Sequence, residues 1–194
     1  MEELVVARHA ESEASARQIL NGDPTVEVAL TELGRRQARA LGEAAGAVDL
    51  VAHSELGRTR ETAELAWPET ATLVVPELNE IRFGRFEGTA WHDGYGTWVG
   101  TAGPEEECPG GGESRVAAMR RYLRGFRLLL ARPEERVALV AHGAQVRYLL
   151  LAGADMMPTP VLEGVPLAEP YVLTRGELAD AVELLEAWVA SPTF

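Results

Sequence analysis

The sequence predicts an α/β fold: a three-layer sandwich whose mostly parallel central sheet is flanked by helices. Two observations predict it. Three short valine-rich runs each close on a residue able to do chemistry, and segments with the apolar spacing of helices lie between and after them. Runs of four or five apolar residues bounded by polar ones read as strands buried on both faces. Strands that alternate with helices imply crossover connections and therefore parallel pairing.

The first run, residues 4–7 (LVVA), stops on Arg8 and His9. Residues 31–45 have helical spacing, with Leu33, Ala40, Leu41 and Ala44 as the apolar positions. The second run, residues 50–52 (LVA), leads into His53 and Ser54, and a helix over 58–66 follows from Arg58. Residues 89–112 are rich in glycine, carry Trp91, His92, Tyr95 and Trp98, and show neither period. That stretch reads as an extended loop over the active site. In 113–131, Val116, Met119, Leu123, Phe126 and Leu130 step by three and four along one helix face. The third run, residues 137–141 (VALVA), ends on His142, and a helix over 143–151 leaves it. Leu178, Val182, Leu185 and Val189 mark a C-terminal helix.

A chain of 194 residues fits one domain spanning 1–194. With 46% hydrophobic and 25% charged residues it has the composition of an ordinary globular protein. No apolar run approaches the roughly 20 residues that cross a bilayer. The formal charge of -12 excludes nucleic acid and an anionic membrane as main partners, because the long-range field repels both. Met1-Glu2-Glu3 is acidic where a signal peptide is basic, and the lone Cys108 has no internal disulfide partner, so a cytoplasmic location is expected. Oligomeric state is left open, a homodimer included. All 18 cationic side chains are arginine, so any anion site is built from guanidinium, imidazole or backbone amides.

If the three runs are neighbouring parallel strands, His9, Arg58 and His142 emerge at one edge of the sheet, where α/β proteins bind ligands. Two guanidinium groups, Arg8 and Arg58, suit a phosphate or carboxylate, because each presents a planar fork of donors. Their charge disfavours protonation of His9 and leaves it a neutral nucleophile. With Arg8, Arg58 and His142 around the phosphoryl group, no metal or other cofactor is needed. The leaving oxygen needs a proton, and Glu80 is the candidate donor, with Glu87 as its rival. A zinc site from His9, His53 and His142 is a further reading, disfavoured because the arginines repel a cation.

With these residues in hand, the chain resembles the histidine phosphatase superfamily, also called the phosphoglycerate mutase-like family. Arg8-His9-Ala10-Glu11-Ser12 is similar to that family's Arg-His-Gly-Glu-Ser/Thr signature, and residues 30–38 to its Leu-Thr-x-x-Gly-x-x-Gln-Ala helix start. Residues 54–63 resemble the segment that supplies the second phosphate arginine, and 78–88 the segment that holds the acid. Gly112-Glu113-Ser114, and Val140-Ala141-His142-Gly143 with Arg147, complete the ordered set. The resemblance implies a phosphoglycerate mutase-like fold, His9 as the phosphorylated nucleophile, Arg8, Arg58 and His142 as the phosphate pocket, and Glu80 as proton donor. It also implies substrate contacts from Asn21 and Gly22. Two positions depart from the family. Ala10 stands where the family has glycine, which would add strain of about 1 kcal/mol if φ were positive there. Ser15 stands where the family often has asparagine, with a shorter reach and one donor in place of two.

The leading reading is a metal-independent phosphatase acting on a small-molecule phosphomonoester. The alternatives are a phosphoglycerate mutase, which chain length weighs against, and a non-catalytic phospholigand-binding protein. Ser15, Asn21, Gly22 and Trp91 are the candidate substrate-binding residues. Glu105-Glu106-Glu107, if they face the pocket, favour a monophosphate on a neutral or cationic body. Arg35, Arg36, Arg39, Arg120, Arg121, Arg124 and Arg127 read as solvated helix faces.

Overall fold

A computed structural model describes residues 1–160 and 164–194. The three runs are strands β1 (Glu3–Arg8), β2 (Leu50–His53) and β4 (Arg136–Ala141), with β3 (Thr72–Val74) and β5 (Tyr171–Thr174) beside them. They form one sheet in the order β3-β2-β4-β1-β5, parallel throughout except for β5, which runs antiparallel to β1. The sequence reading missed β3 and β5. Both are edge strands of three and four residues, and their exposed positions break the continuous apolar pattern that marks a buried strand.

Strand alternation builds the three layers. The register aligns Leu4, Val137 and Leu50, and then Val5, Ala138 and Val51 in the next row. Because successive side chains point to opposite faces, the two rows enter different cores. Leu4, Val6, Leu50, Leu139 and Ala141 join the core under helices α5 (Arg115–Leu130), α6 (Gly143–Gly153) and α7 (Arg175–Ala190). Val5, Ala7, Val51, Ala138 and Val140 join the one under α2 (Glu32–Ala45) and α3 (Gly57–Ala66).

Thr31 caps α2 by accepting from the Gly34 amide, but the buried face of that helix is Gly34, Ala38, Leu41 and Ala45. Leu33, Ala40 and Ala44, expected inside, are exposed. Glycine at 34 is required there: a Cβ would stand 1.9 Å from the Glu11 carbonyl oxygen, so α2 packs directly on the backbone beyond β1. In α5 the expected stripe holds, with Val116, Met119, Leu123 and Phe126 buried and Ser114 capping. Residues 89–112 are not wholly loop, since α4 (Tyr95–Thr101) lies within them. Its glycines and threonines hide it from propensity, and it is held by the burial of Tyr95 and Val99, one turn apart. The remaining helix, α1 (Glu13–Ala16), is a single capped turn.

Candidate active site

His9, Arg58 and His142 leave the C-terminal ends of three adjacent parallel strands. Arg8 is the last residue of β1, and the His9 amide continues the ladder by donating to Ala141 O at 2.9 Å. Arg58 is the second residue of α3, just past β2. His142 directly follows β4 and is the N-cap of α6, where Gln145 accepts from its amide. A cavity of about 690 Å³ opens at this edge, with Arg8, His9, Asn21, Arg58 and Glu80 in its wall.

Hydrogen bonding fixes the state of both imidazoles. His9 Nδ1 lies 2.8 Å from the Ala10 carbonyl, which only accepts, so Nδ1 carries the hydrogen. His9 Nε2 is then bare, and it accepts from Arg58 Nε at 3.1 Å. His142 Nδ1 faces Arg58 Nη2 at 3.2 Å, and a guanidinium only donates, so the His142 hydrogen is on Nε2. From there it is donated to Ser54 Oγ at 2.8 Å; Ser54 donates to Thr59 Oγ1, and Thr59 to Leu56 O. Burial and the Arg58 and Arg8 charges hold His9 well below the usual histidine range. Burial and Arg58 do the same to His142. Both rings are therefore neutral, and they meet edge to face at 5.4 Å.

Glu80 extends from the segment after a short 3-10 turn (Pro76–Leu78) and places Oε2 3.8 Å from His142 Nδ1. Burial raises its pKa, against opposition from Arg58 and the Ile81 amide. Because His142 is neutral the contact is not an ion pair, and burial pushes the Glu80 carboxyl toward its acid form. Arg121 anchors this segment by donating to the carbonyls of Glu77, Asn79 and Glu80 while it binds Glu113 at 2.6 Å. Arg121 is thus not on a solvated face as expected, unlike Arg36, Arg39, Arg120, Arg124 and Arg127, which are exposed. Arg35 is half-buried against Glu32 and Glu61.

The other expected residues separate into those at the wall and those behind it. Ser15, Asn21 and Trp91 line the cavity. The Ser15 hydroxyl is engaged in a capping box with Ser12, and Asn21 holds Arg58 through its side-chain oxygen at 2.6 Å and its carbonyl at 2.8 Å. Gly22 is not at the wall: a Cβ there would stand 2.2 Å from Ile81 O, so its smallness serves packing. His142 is fully buried and also stands behind the wall, because Arg58 lies across its Nδ1. Glu87 accepts from the Gly22 and Phe83 amides and lies away from the cavity. His53 is buried against Ser54 O outside the wall, and His92 is exposed. Glu105, Glu106 and Glu107 are exposed and do not face the cavity, which removes the charge argument built on them. Ala10 has no positive φ and packs with Leu30 and Ala38, so alanine is unstrained there.

Sequence reasoning missed Arg115, Tyr122 and Tyr148, all in the wall. Arg115, Ala118 and Tyr122 form a stripe beside the apolar one on α5, and an arginine and a tyrosine seven residues apart, on one face of the helix, were the available signal.

Comparison with known proteins finds relatives that match most of the chain. The chain is 30% identical over 207 residues to a 2,3-bisphosphoglycerate-dependent phosphoglycerate mutase of Methylobacterium sp. (strain 4-46), covering 94% of this chain and 97% of that one. It is 30% identical over 165 residues to a metal-independent phosphoserine phosphatase of Arabidopsis thaliana, covering 77% and 67%. Among solved structures it resembles a mycobacterial glucosyl-3-phosphoglycerate phosphatase complexed with VO3, with TM-score 0.73, 26% identity and coverage of 89% and 91%. Bacillus stearothermophilus YhfR shares the fold with TM-score 0.74 at 24% identity, over 88% and 89%. Since the mutase relative is matched over nearly its whole length, chain length does not separate mutase from phosphatase, contrary to expectation. The model of the histidine phosphatase superfamily (branch 1) matches residues 4–175, and the chain belongs to that superfamily.

Proposed function

We propose that the protein is a metal-independent phosphatase that hydrolyses a small-molecule phosphomonoester through a phosphohistidine on His9. The observation that carries this reading is the fixed tautomer of His9, whose Nδ1 is committed to Ala10 O and whose bare Nε2 faces Arg58 in the cavity wall. A phosphate arriving between Arg8 and Arg58 takes over the guanidinium donors and releases Nε2 from Arg58. Nε2 then attacks phosphorus; the N–P bond forms as the ester P–O bond breaks, and Glu80 gives its proton to the leaving oxygen. In the second half, the Glu80 carboxylate takes a proton from water, which attacks phosphorus and frees inorganic phosphate and His9. The raised pKa of Glu80 suits both roles. Arg8 and Arg58 supply donors to the equatorial oxygens, while His142, with Nδ1 against Arg58 Nη2 and its Nε2–H given to Ser54, holds Arg58 in place.

Incubated with p-nitrophenyl phosphate and EDTA, the protein is expected to release phosphate, and His9→Ala to abolish the release. Turnover that persists in His9→Ala ends the assignment. The mutase relative supports a second reading, in which the phosphoryl group returns to the substrate. Assay with 3-phosphoglycerate separates the two: isomerisation outrunning phosphate release favours the mutase.

A further inference from the structure

The phosphate cage occupies one end of the cavity, and the rest of the wall has a chemistry of its own. Arg115, Ala118 and Tyr122 line it from one face of α5. Seven residues separate the two polar members, about 10 Å along a helix. The Tyr95 phenol feels the charges of both Glu80 and Arg115; Tyr122 feels Glu80, and Tyr148 feels Arg115. The three phenols therefore span the distance from the proton donor to a second cation.

Arg115 is unusual for a buried charge. Its guanidinium donates to the carbonyls of Ala102 and Pro160 and lies over the Phe194 ring at 4.3 Å; it feels the charge of the exposed Glu106, but no carboxylate forms an ion pair with it among the described residues. Two of its five N–H donors are accounted for by those carbonyls, which hold the side chain in place without neutralising it. Tyr122 repeats the pattern in neutral form: it is 1% exposed, lines the cavity, and its hydroxyl meets no partner among the described residues. Buried polar groups are ordinarily satisfied, and a cavity-facing hydroxyl that is not, beside a guanidinium held by neutral carbonyls, is built for ligand atoms. Of the described wall residues, three are arginines and only Glu80 is a carboxylate, itself pushed toward its neutral acid. A phosphoryl group accounts for Arg8 and Arg58. The charge of Arg115 is left over, and a single guanidinium fork matches one carboxylate.

We propose that Arg115 is a specificity residue that receives the carboxylate of a phosphomonoester whose alcohol part lies among Tyr95, Tyr122 and Tyr148. This names the substrate class of the phosphatase proposed above and rests on that reading. The experiment uses two non-hydrolysable phosphonates on the full chain, 3-[4-(phosphonomethyl)phenyl]propanoate and its primary amide, which share shape and differ in the distal charge. By calorimetry the carboxylate is expected to bind about tenfold or more tightly. In Arg115→Gln, folded by circular dichroism, the ratio is expected to fall to within about twofold. Arg115→Lys keeps the charge but loses the fork, and is expected to fall between; it serves as the test if Arg115→Gln does not fold. Equal affinities in the unaltered protein, or a ratio that survives either substitution, overturn the proposal. Because phosphonates are not turned over, the two readings fail separately. A carboxylate preference without release of phosphate from p-nitrophenyl phosphate removes the phosphatase and keeps the site. Release without the preference does the reverse.

Discussion

Acidification should destabilise this protein through its two site histidines, and the size of the effect follows from their burial. His9 is 3% exposed and His142 is fully buried, and both are held well below the unfolded value of 6.5 by desolvation and by Arg58. Below that value the unfolded chain binds protons that the folded one refuses, so stability is present above pH 6.5 and is lost as pH falls. Between pH 7.5 and 5.0 each imidazole costs about 2 kcal/mol, as long as its folded form stays neutral. Glu80 acts in the opposite sense. Its raised pKa makes the folded state take up a proton while the unfolded carboxyl is still ionised, which returns part of the loss above about pH 4.5. The shifts of Glu113, Glu134 and Glu177 are downward, so their contributions change below that window. Urea unfolding followed by tryptophan fluorescence at the two pH values gives the difference directly. In His9→Gln and in His142→Gln, that difference is expected to shrink by about 2 kcal/mol. If either variant has the same pH dependence as the parent, its imidazole is not buried neutral, and the tautomer argument for His9 falls with it.

Three further substitutions test individual contacts. Tyr122→Phe removes a buried hydroxyl that has no partner among the described residues, so thermal melting should show equal or higher stability, by up to about 1 kcal/mol or 2–4 °C, although the residue is in the core. Arg121→Met strands the buried Glu113 carboxylate and frees three carbonyls of the segment before the proton donor; a loss of about 3–5 kcal/mol by chemical denaturation is expected, with a fall in kcat. Ala10→Gly, which restores the family residue, should destabilise by about 1 kcal/mol in the same measurement, because φ at this position is ordinary and the methyl packs on Leu30 and Ala38.

The legible part of this protein is the part written as local pattern. The runs at 4–7, 50–52 and 137–141 are strands because a β-branched stretch buried on both faces has few other solutions. Placing His9, Arg58 and His142 at their ends needed only the rule that parallel strands share a direction. The stripe on α5 was equally plain. Where the reading failed, a residue's surroundings came from distant chain. Arg121 and Arg124 look alike in sequence; one meets the backbone of residues 77–80 and the other meets solvent.

Sequence alone determined the layer architecture and the chemical types gathered at the sheet edge, because burial period and strand polarity are properties of short segments. Tertiary structure alone decided which nitrogen of each imidazole carries its hydrogen, that Arg58 covers His142, and that Arg115 faces the cavity. Those outcomes depend on which side chains from separate elements meet, and on the water that their meeting excludes. No short stretch of sequence encodes that on its own.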